Sequence, residues 1–321
     1  MELNQYKTQF LEYLSQKIDL KEPNNLYEPI SYILNLGGKR LRPILVLMSC
    51  DLFGSDYRKA MDASVAIEMF HNFTLIHDDI MDKASLRRGK ETVHIKWDEN
   101  IGILSGDALM IMSYQMLETY DGDTFKKLFA LFNKTALQIC EGQQYDMDFE
   151  TRRDVLLDDY LKMISYKTAV LLACSLQMGA IIANTNEVDV EHIYNFGLNL
   201  GIAFQLQDDY LDAFGTEEFG KKLGGDILEN KKTFLYLKTY DLATNVDREE
   251  ILNWYSDTSR SENKIKKVKA LFNKYNTPEL LLQEIEKYSL KAFDRIKDLS
   301  IQDVNKDVFV NFGQSLMHRK K

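Results

Sequence analysis

The chain has 321 residues, 45% hydrophobic and 28% charged, which supplies enough apolar material for a large core and excludes a disordered composition. Its net charge of −9 speaks against nucleic acid, whose binding is driven by basic patches. The three cysteines, Cys50, Cys140 and Cys174, never form a CxxC pair. They read as small buried hydrophobes in a reducing, cytoplasmic setting, not as a disulfide framework.

The first twenty residues mix charges with apolar side chains and lack the apolar run of a secretory signal. Gly37-Gly38-Lys39-Arg40-Leu41-Arg42-Pro43 is a glycine turn followed by three cations within four positions. Exposed amides with Lys and Arg are what a diphosphate requires; a solvated helix start is the alternative reading. Residues 59–82 place Ala63, Ala66, Ile67, Phe70 and Phe73 at helical spacing and end in Asp78-Asp79-Ile80-Met81-Asp82. Arg87-Arg88-Gly89 follows, a second candidate anion clamp or an ordinary surface pair.

Helical periodicity returns over 106–120, 125–145, 156–182 and 192–214, with breaks expected near Gly54, Gly89, Gly102, Gly122, Asn184–Asn186 and Gly215–Gly225. The stretch 168–186 carries no charge. Its apolar part is short and broken by Ser175, Gln177 and Gly179, whereas a membrane span needs about 20 mainly apolar residues, so a core helix is expected and no span. The last long helix ends in Asp208-Asp209-Tyr210-Leu211-Asp212, followed by Gly220-Lys221-Lys222-Leu223-Gly224-Gly225-Asp226 and Asn230-Lys231-Lys232. No linker or low-complexity tract interrupts the chain. One domain over 1–321 is expected, all-α, a bundle of ten or more helices around a central apolar cavity.

On a helix, positions i and i+4 share a face about one turn apart, so Asp78 stacks on Asp82 and Asp208 on Asp212. Like charges there repel by about 0.2–0.5 kcal/mol, and negative charge at a helix C-terminus opposes the macrodipole. Such local inconsistency marks function. Mg²⁺ resolves it, being a hard cation held by one or two carboxylates together with substrate phosphates. The string Asp158-Asp159-Tyr160-Leu161-Lys162 is a control: its fifth position is a lysine, and it reads as a helix-start acidic pair. The histidines show no metal-ligand spacing, and HExxH, GxSxG and P-loop motifs are missing.

GGKRLRP, EMFHNFTLIHDDIMD, RRG, SGDAL, Tyr166-Lys167-Thr168, FQLQDDYLD and GKKLGGDILENKK resemble, in order and spacing, the trans-isoprenyl diphosphate synthases. That family includes farnesyl and geranylgeranyl diphosphate synthases, and the motifs run from about Gly37 to Lys232. The resemblance implies that Asp78, Asp82 and Asp208 coordinate three Mg²⁺ ions, with Asp79, Asp209 and Asp212 supporting them. It implies that Arg87, Lys167, Gln205, Lys222 and Lys231 contact the allylic diphosphate, with Thr168 nearby; Lys221 competes with Lys222 for its role. Lys39, Arg42, His71 and Arg88 are implied to hold isopentenyl diphosphate.

The chemistry implied is head-to-tail condensation of isopentenyl diphosphate with a dimethylallyl, geranyl or farnesyl diphosphate, carried out by a homodimer. The residues four and five positions before the first aspartate, Thr74 and Phe73, are implied to form the pocket floor. A phenylalanine about 7.5 Å back along the helix suggests a short product, twenty carbons before fifteen. A terpene cyclase of the same fold and a non-catalytic partner subunit are the rival readings. The first lacks GGKRLRP and a second aspartate-rich motif; the second loses its aspartates. The terminal Arg319-Lys320-Lys321 reads as a solvated tail.

Overall fold

The computed structural model describes residues 2–18, 20–215 and 223–317. Among them the chain is almost wholly helical, with helices well past the ten expected. They group into two compact units, 1–133 with 174–190, and 134–173 with 191–321.

The first unit holds α1 (Leu3–Lys17), α2 (Asn24–Asn35), α3 (Leu41–Leu52), α4 (Met61–Met81), the hairpin β1 (Leu86–Arg87) and β2 (Lys90–Glu91), α5 (Val93–Lys96) and α6 (Glu99–Leu117). Helix α3 is buried from Pro43 to Cys50, which is why its sequence is apolar all round. Helix α4 packs against both α3 and α6. The break expected at Gly102 does not occur. Asp98 caps α6 by accepting from the Ile101 amide, and Gly102 lies inside the helix because Ile80 of α4 approaches so closely that a β-carbon there would sit 2.9 Å from its Cδ1. Gly106 admits His77 in the same way, so the glycine that suggested a break is a contact point, as is its neighbour one turn on.

Three longer helices follow: α7 (Gly122–Thr151), then α8 (Leu157–Ile164) continuing through a π-helical turn, Ser165–Ala169, into α9 (Val170–Ile182), then α10 (Glu187–Phe214). By length and hydropathy, Leu157–Ile182 is the one helical run among the described residues that could cross a membrane, yet 72% of its apolar window is buried within the fold. The reason is visible at Gly179, where a β-carbon would meet Ser49 at 2.6 Å, and at Ser49 itself, whose hydroxyl donates to the Leu176 carbonyl at 2.6 Å. The uncharged stretch is a core helix laid on α3, as its small residues suggested.

The second unit also contains α11 (Gly225–Leu228), α12 (Phe234–Leu242), α13 (Asn245–Ser256), α14 (Glu262–Lys274), α15 (Thr277–Lys297) and α16 (Asp303–Met317). Phe234, Leu235, Ile251, Val268, Phe272 and Leu281 fill its core, with α12 against α8, α14 and α15. Of the cysteines, Cys50 and Cys174 are buried as expected. Cys140 is exposed on α7, and none of the three forms a disulfide. Its neighbours Glu141 and Leu137 are exposed too, so this helix face was misread as an interior one.

Candidate active site

The first aspartate cluster sits where the periodicity placed it, at the end of α4, with Asp82 as the C-cap residue. Its three carboxylates have different environments. Asp79 is 2% exposed and receives both arms of Arg87, Nε and Nη2, at 2.7 Å each. Asp78 is partly exposed, with Arg87 3.6 Å away, and Asp82 is exposed. Burial pushes the Asp79 carboxyl above its usual range, partly offset by Arg87. The bidentate pair fixes Arg87 beside the cluster, since a buried carboxylate without such a partner is costly.

Arg88 points elsewhere. Arg88 and Gly89 both have positive φ, 54° and 74°, the backbone of a tight two-residue hairpin between β1 and β2. This turn sends the Arg88 guanidinium onto Gly37, whose carbonyl accepts from Nη1. Arg42, from the same glycine-led motif, lies 3.3 Å from His71 Nε2 through its Nη1. Burial, then Arg42, Arg88, Arg87 and Arg40 in turn, hold the His71 imidazole well below its ordinary pKa, so it is neutral and accepts from Arg42. Arg42 and Arg88 are themselves pulled down, first by burial and also by neighbouring cations. A group of cations that destabilise one another is a site prepared for an anion.

Arg40, two residues before Arg42, has a different task. It is 5% exposed, adopts φ 54°, and donates to the Glu68 carboxylate and the Leu34 carbonyl, while Asn72 donates to the same carboxylate at 3.0 Å. This buried pair ties the glycine turn to α4. Lys39 is exposed on the turn. A shallow cleft of about 550 Å³ between α2 and the hairpin, lined by Tyr32, Leu36, Leu86, Lys90 and Lys96, contains none of the aspartates.

The second cluster repeats the first. Asp209 is 5% exposed and takes hydrogen bonds from the Tyr160 hydroxyl and from Gln205 Nε2 at 3.2 Å. Burial, followed by the nearby Asp226, raises its pKa well above the usual carboxylate range. Asp208 and Asp212 are partly exposed, and Asp212 accepts from the Asp226 amide at 3.0 Å. Gln205 also lies 3.4 Å from the Thr168 hydroxyl. Thr168 and Lys167 stand on the π-helical turn, where a widened backbone re-aims side chains. Gly142 permits this, since a β-carbon there would meet Lys167 Cα at 2.8 Å, and Gly201 lies equally tight on Ala169. Lys167 Nζ is 2.6 Å from Asp146.

Downstream, Lys231 and Lys232 part company. Lys232 donates to the Phe149 and Glu150 carbonyls near the end of α7, a structural cap. Lys231 stays half exposed, 3.2 Å from Glu229 and 3.7 Å from Asp226. Burial opposes its charge, but those carboxylates hold its pKa above the ordinary value. Lys221, Lys222 and the terminal Arg319-Lys320-Lys321 lie outside the described residues.

Tyr160, Asp146 and Asp226 are site residues that sequence reasoning missed. Asp158 and Asp159 do occupy the first turn of α8, as expected of the control string, with Asp159 accepting from the Leu156 amide. The tyrosine between that pair and Lys162 is nevertheless the one that reaches Asp209. Asp146 lies one helical turn after Gly142, the residue whose missing side chain lets Lys167 approach.

Among the described residues no three acidic, histidine or cysteine side chains already form a coordination shell. In the first cluster Arg87 engages Asp79 and leaves Asp78 and Asp82 less buried; in the second Tyr160 engages Asp209 and leaves Asp208 and Asp212 less buried. Each carboxylate pair by itself is of the kind that suits Mg²⁺, which keeps several waters and completes its shell with substrate phosphates. Phe73, a proposed floor residue, is 8% exposed and packs between Phe70 and His77, with ring centroids 5.4 and 4.8 Å away. The Thr74 hydroxyl donates to the His71 carbonyl at 2.8 Å.

A helical fold with two such clusters defines a class, and comparison with known proteins identifies it. The polyprenyl synthetase family model matches residues 23–272. The chain is 37% identical over 302 residues to the geranylgeranyl diphosphate synthase of Saccharolobus solfataricus, covering 92% of this chain and 91% of that one. It is 40% identical over 280 residues to the enzyme of that name from Sulfolobus acidocaldarius, covering 86% and 84%. Among solved structures, a geranylgeranyl pyrophosphate synthase is superimposable over the whole of both chains with a TM-score of 0.95 and 51% identity. The synthetase from Pyrococcus horikoshii gives 0.93 at 30% identity, over 99% of this chain and 97% of that one. The chain belongs to the polyprenyl synthetase family and is a prenyltransferase.

Proposed function

We propose that this protein condenses isopentenyl diphosphate with an allylic diphosphate to give a short-chain trans-prenyl diphosphate, with geranylgeranyl diphosphate as the main product. The observation that carries this reading is the cationic group of Arg42 and Arg88 around neutral His71, beside the Gly37–Gly38 turn. It is an anion site distinct from Arg87 and the aspartates, and a second diphosphate substrate needs one. A terpene cyclase, which takes a single diphosphate, has no use for it.

In this reading Asp78, Asp82 and Asp208 hold Mg²⁺, three ions in all, and Asp79, Asp209 and Asp212 support them. Bound Mg²⁺ supplies charge neutralisation to the leaving diphosphate. Arg87, Lys167, Lys222 and Lys231 bind the allylic diphosphate, with Gln205 and Thr168, and receive the negative charge that builds as the allylic carbon–oxygen bond breaks. Lys39, Arg42, His71 and Arg88 hold isopentenyl diphosphate so that its double bond faces the allylic carbon. A carbon–carbon bond forms, and the proton lost from the isopentenyl unit passes to the released diphosphate. Phe73 and Thr74 limit the chain. The single domain over 1–321, a cytoplasmic location and a homodimer belong to the same proposal. The dimer is supported by apolar side chains left exposed on α6 and α7, among them Leu104, Ile111 and Leu137.

Purified protein supplied with isopentenyl diphosphate and, separately, dimethylallyl, geranyl or farnesyl diphosphate tests this by chromatography of the products. A twenty-carbon product is expected from each starter. No condensation product from folded protein would favour the partner-subunit reading.

A further inference from the structure

Lys264 on α14 has no solvent exposure at all. Its ammonium reaches two neutral acceptors, Asn230 Oδ1 at 2.7 Å and the Asp257 carbonyl at 2.5 Å. The Asp257 carboxylate is itself engaged, accepting from the Ser259 amide at 2.8 Å and hydroxyl at 2.6 Å. Asn230 closes the ring by donating from Nδ2 to the Asp257 carbonyl at 3.4 Å. Burying an ammonium whose hydrogen-bond partners are neutral is costly, and burial does pull the Lys264 pKa down, the charge of the Asp257 carboxylate offsetting part of it. A methionine of similar length would fill that space more cheaply.

What the ring holds is the residue before Lys231. Asn230 adopts φ 58°, a left-handed backbone uncommon outside glycine that asparagine takes more readily than most residues. Its amide donates to the Ile227 carbonyl at 3.2 Å, and the Lys231 amide to the Asp226 carbonyl at 2.9 Å, so this residue turns the chain out of α11. On the other side, Lys232 is anchored to the carbonyls near the end of α7. Lys231 thus stands between two fixed neighbours. A long cation whose backbone is fixed loses less freedom when it binds.

We infer that Lys264 is a positioning residue, holding through Asn230 and the Asp257 carbonyl the turn that aims Lys231 at the allylic diphosphate. The inference rests on the assignment of Lys231 made above. It goes further by making allylic affinity depend on a buried residue of another helix.

The test compares steady-state kinetics of Lys231→Gln, Lys264→Met, Asn230→Gly and Asn230→Asp in the full chain. Lys231→Gln raises the KM for farnesyl diphosphate about tenfold or more and leaves that for isopentenyl diphosphate unchanged. Lys264→Met and Asn230→Gly each raise the allylic KM about three- to tenfold with the same selectivity. Their double variant is no worse than either alone, because both remove one link. Asn230→Asp keeps the acceptor for the ammonium but loses the Nδ2 donor to the Asp257 carbonyl, so its allylic KM lies between those of the parent and Asn230→Gly. Should Lys264→Met fail to fold, Asn230→Gly carries the test, since glycine adopts that φ freely. A parent-like allylic KM in folded Asn230→Gly, or both KM values rising together, overturns the inference. An unchanged KM in Lys231→Gln overturns the assignment of Lys231 itself, and the role of Lys264 falls with it.

Discussion

The Arg88 guanidinium lies over the backbone of Gly38, so near that a β-carbon at Gly38 would stand 2.8 Å from its Cζ. Two motifs 50 residues apart in sequence are thereby one structure: the glycine turn is shaped to receive the arginine. Gly38 also has φ +119°, outside the range of other residues. Gly38→Ala therefore strains the turn and displaces Arg88 together. Its KM for isopentenyl diphosphate should rise about tenfold or more, with the allylic KM much less affected. Equal change in both constants would count against separate anion sites.

His71 makes stability sensitive to acid. Its folded pKa lies well below the ordinary value, held down by burial and by Arg42, Arg88, Arg87 and Arg40. Above about pH 6.5 neither folded nor unfolded state protonates it, and it contributes no pH dependence. Below that, the unfolded chain binds a proton that the folded chain refuses. Stability is lost as pH falls, by up to about 1.4 kcal/mol per pH unit from this group. Denaturant titrations from pH 7.5 to 5 should show this slope lessened in His71→Asn. An unchanged slope in the variant would show that the loss arises elsewhere.

The Tyr160 hydroxyl orients Asp209, the buried member of the second cluster. Removing it in Tyr160→Phe leaves the ring in the core and takes away one hydrogen bond. Loss of such outer support weakens metal binding by about tenfold to a hundredfold in comparable sites. The Mg²⁺ concentration for half-maximal activity should rise accordingly while thermal stability changes little. A parent-like Mg²⁺ requirement would separate Tyr160 from the metal function.

Phe73 is packed between Phe70 and His77, and its size is proposed to end chain growth. Phe73→Ala should lengthen the products on chromatography. It also opens a core cavity costing about 3–5 kcal/mol, so Phe73→Leu serves as a milder companion with a smaller shift toward longer chains. The same product length in all three proteins would remove Phe73 from the pocket floor.

The helices and both aspartate clusters were legible because they depend on local pattern: apolar period, i to i+4 stacking, and acidic residues at a helix end. Residues that act by long-range packing were not. Gly102 looked like a break because a sequence cannot show the side chain that comes to lie against it. Tyr160 was passed over since its neighbours Asp158 and Asp159 explained the string locally, while its hydroxyl serves α10, 49 residues on. Lys232 and Lys231 look alike in sequence. Only the carbonyls near the end of α7 tell them apart.

Release of inorganic diphosphate by the purified protein, measured with farnesyl diphosphate alone and then with isopentenyl diphosphate added, tests the proposed condensation most directly. Release should require both substrates and Mg²⁺, stop on chelation with EDTA, and fall at least a hundredfold in Asp78→Asn and Asp208→Asn (about 2.7 kcal/mol or more). Release from farnesyl diphosphate alone, at a rate indifferent to isopentenyl diphosphate, would contradict condensation and point to a cyclase.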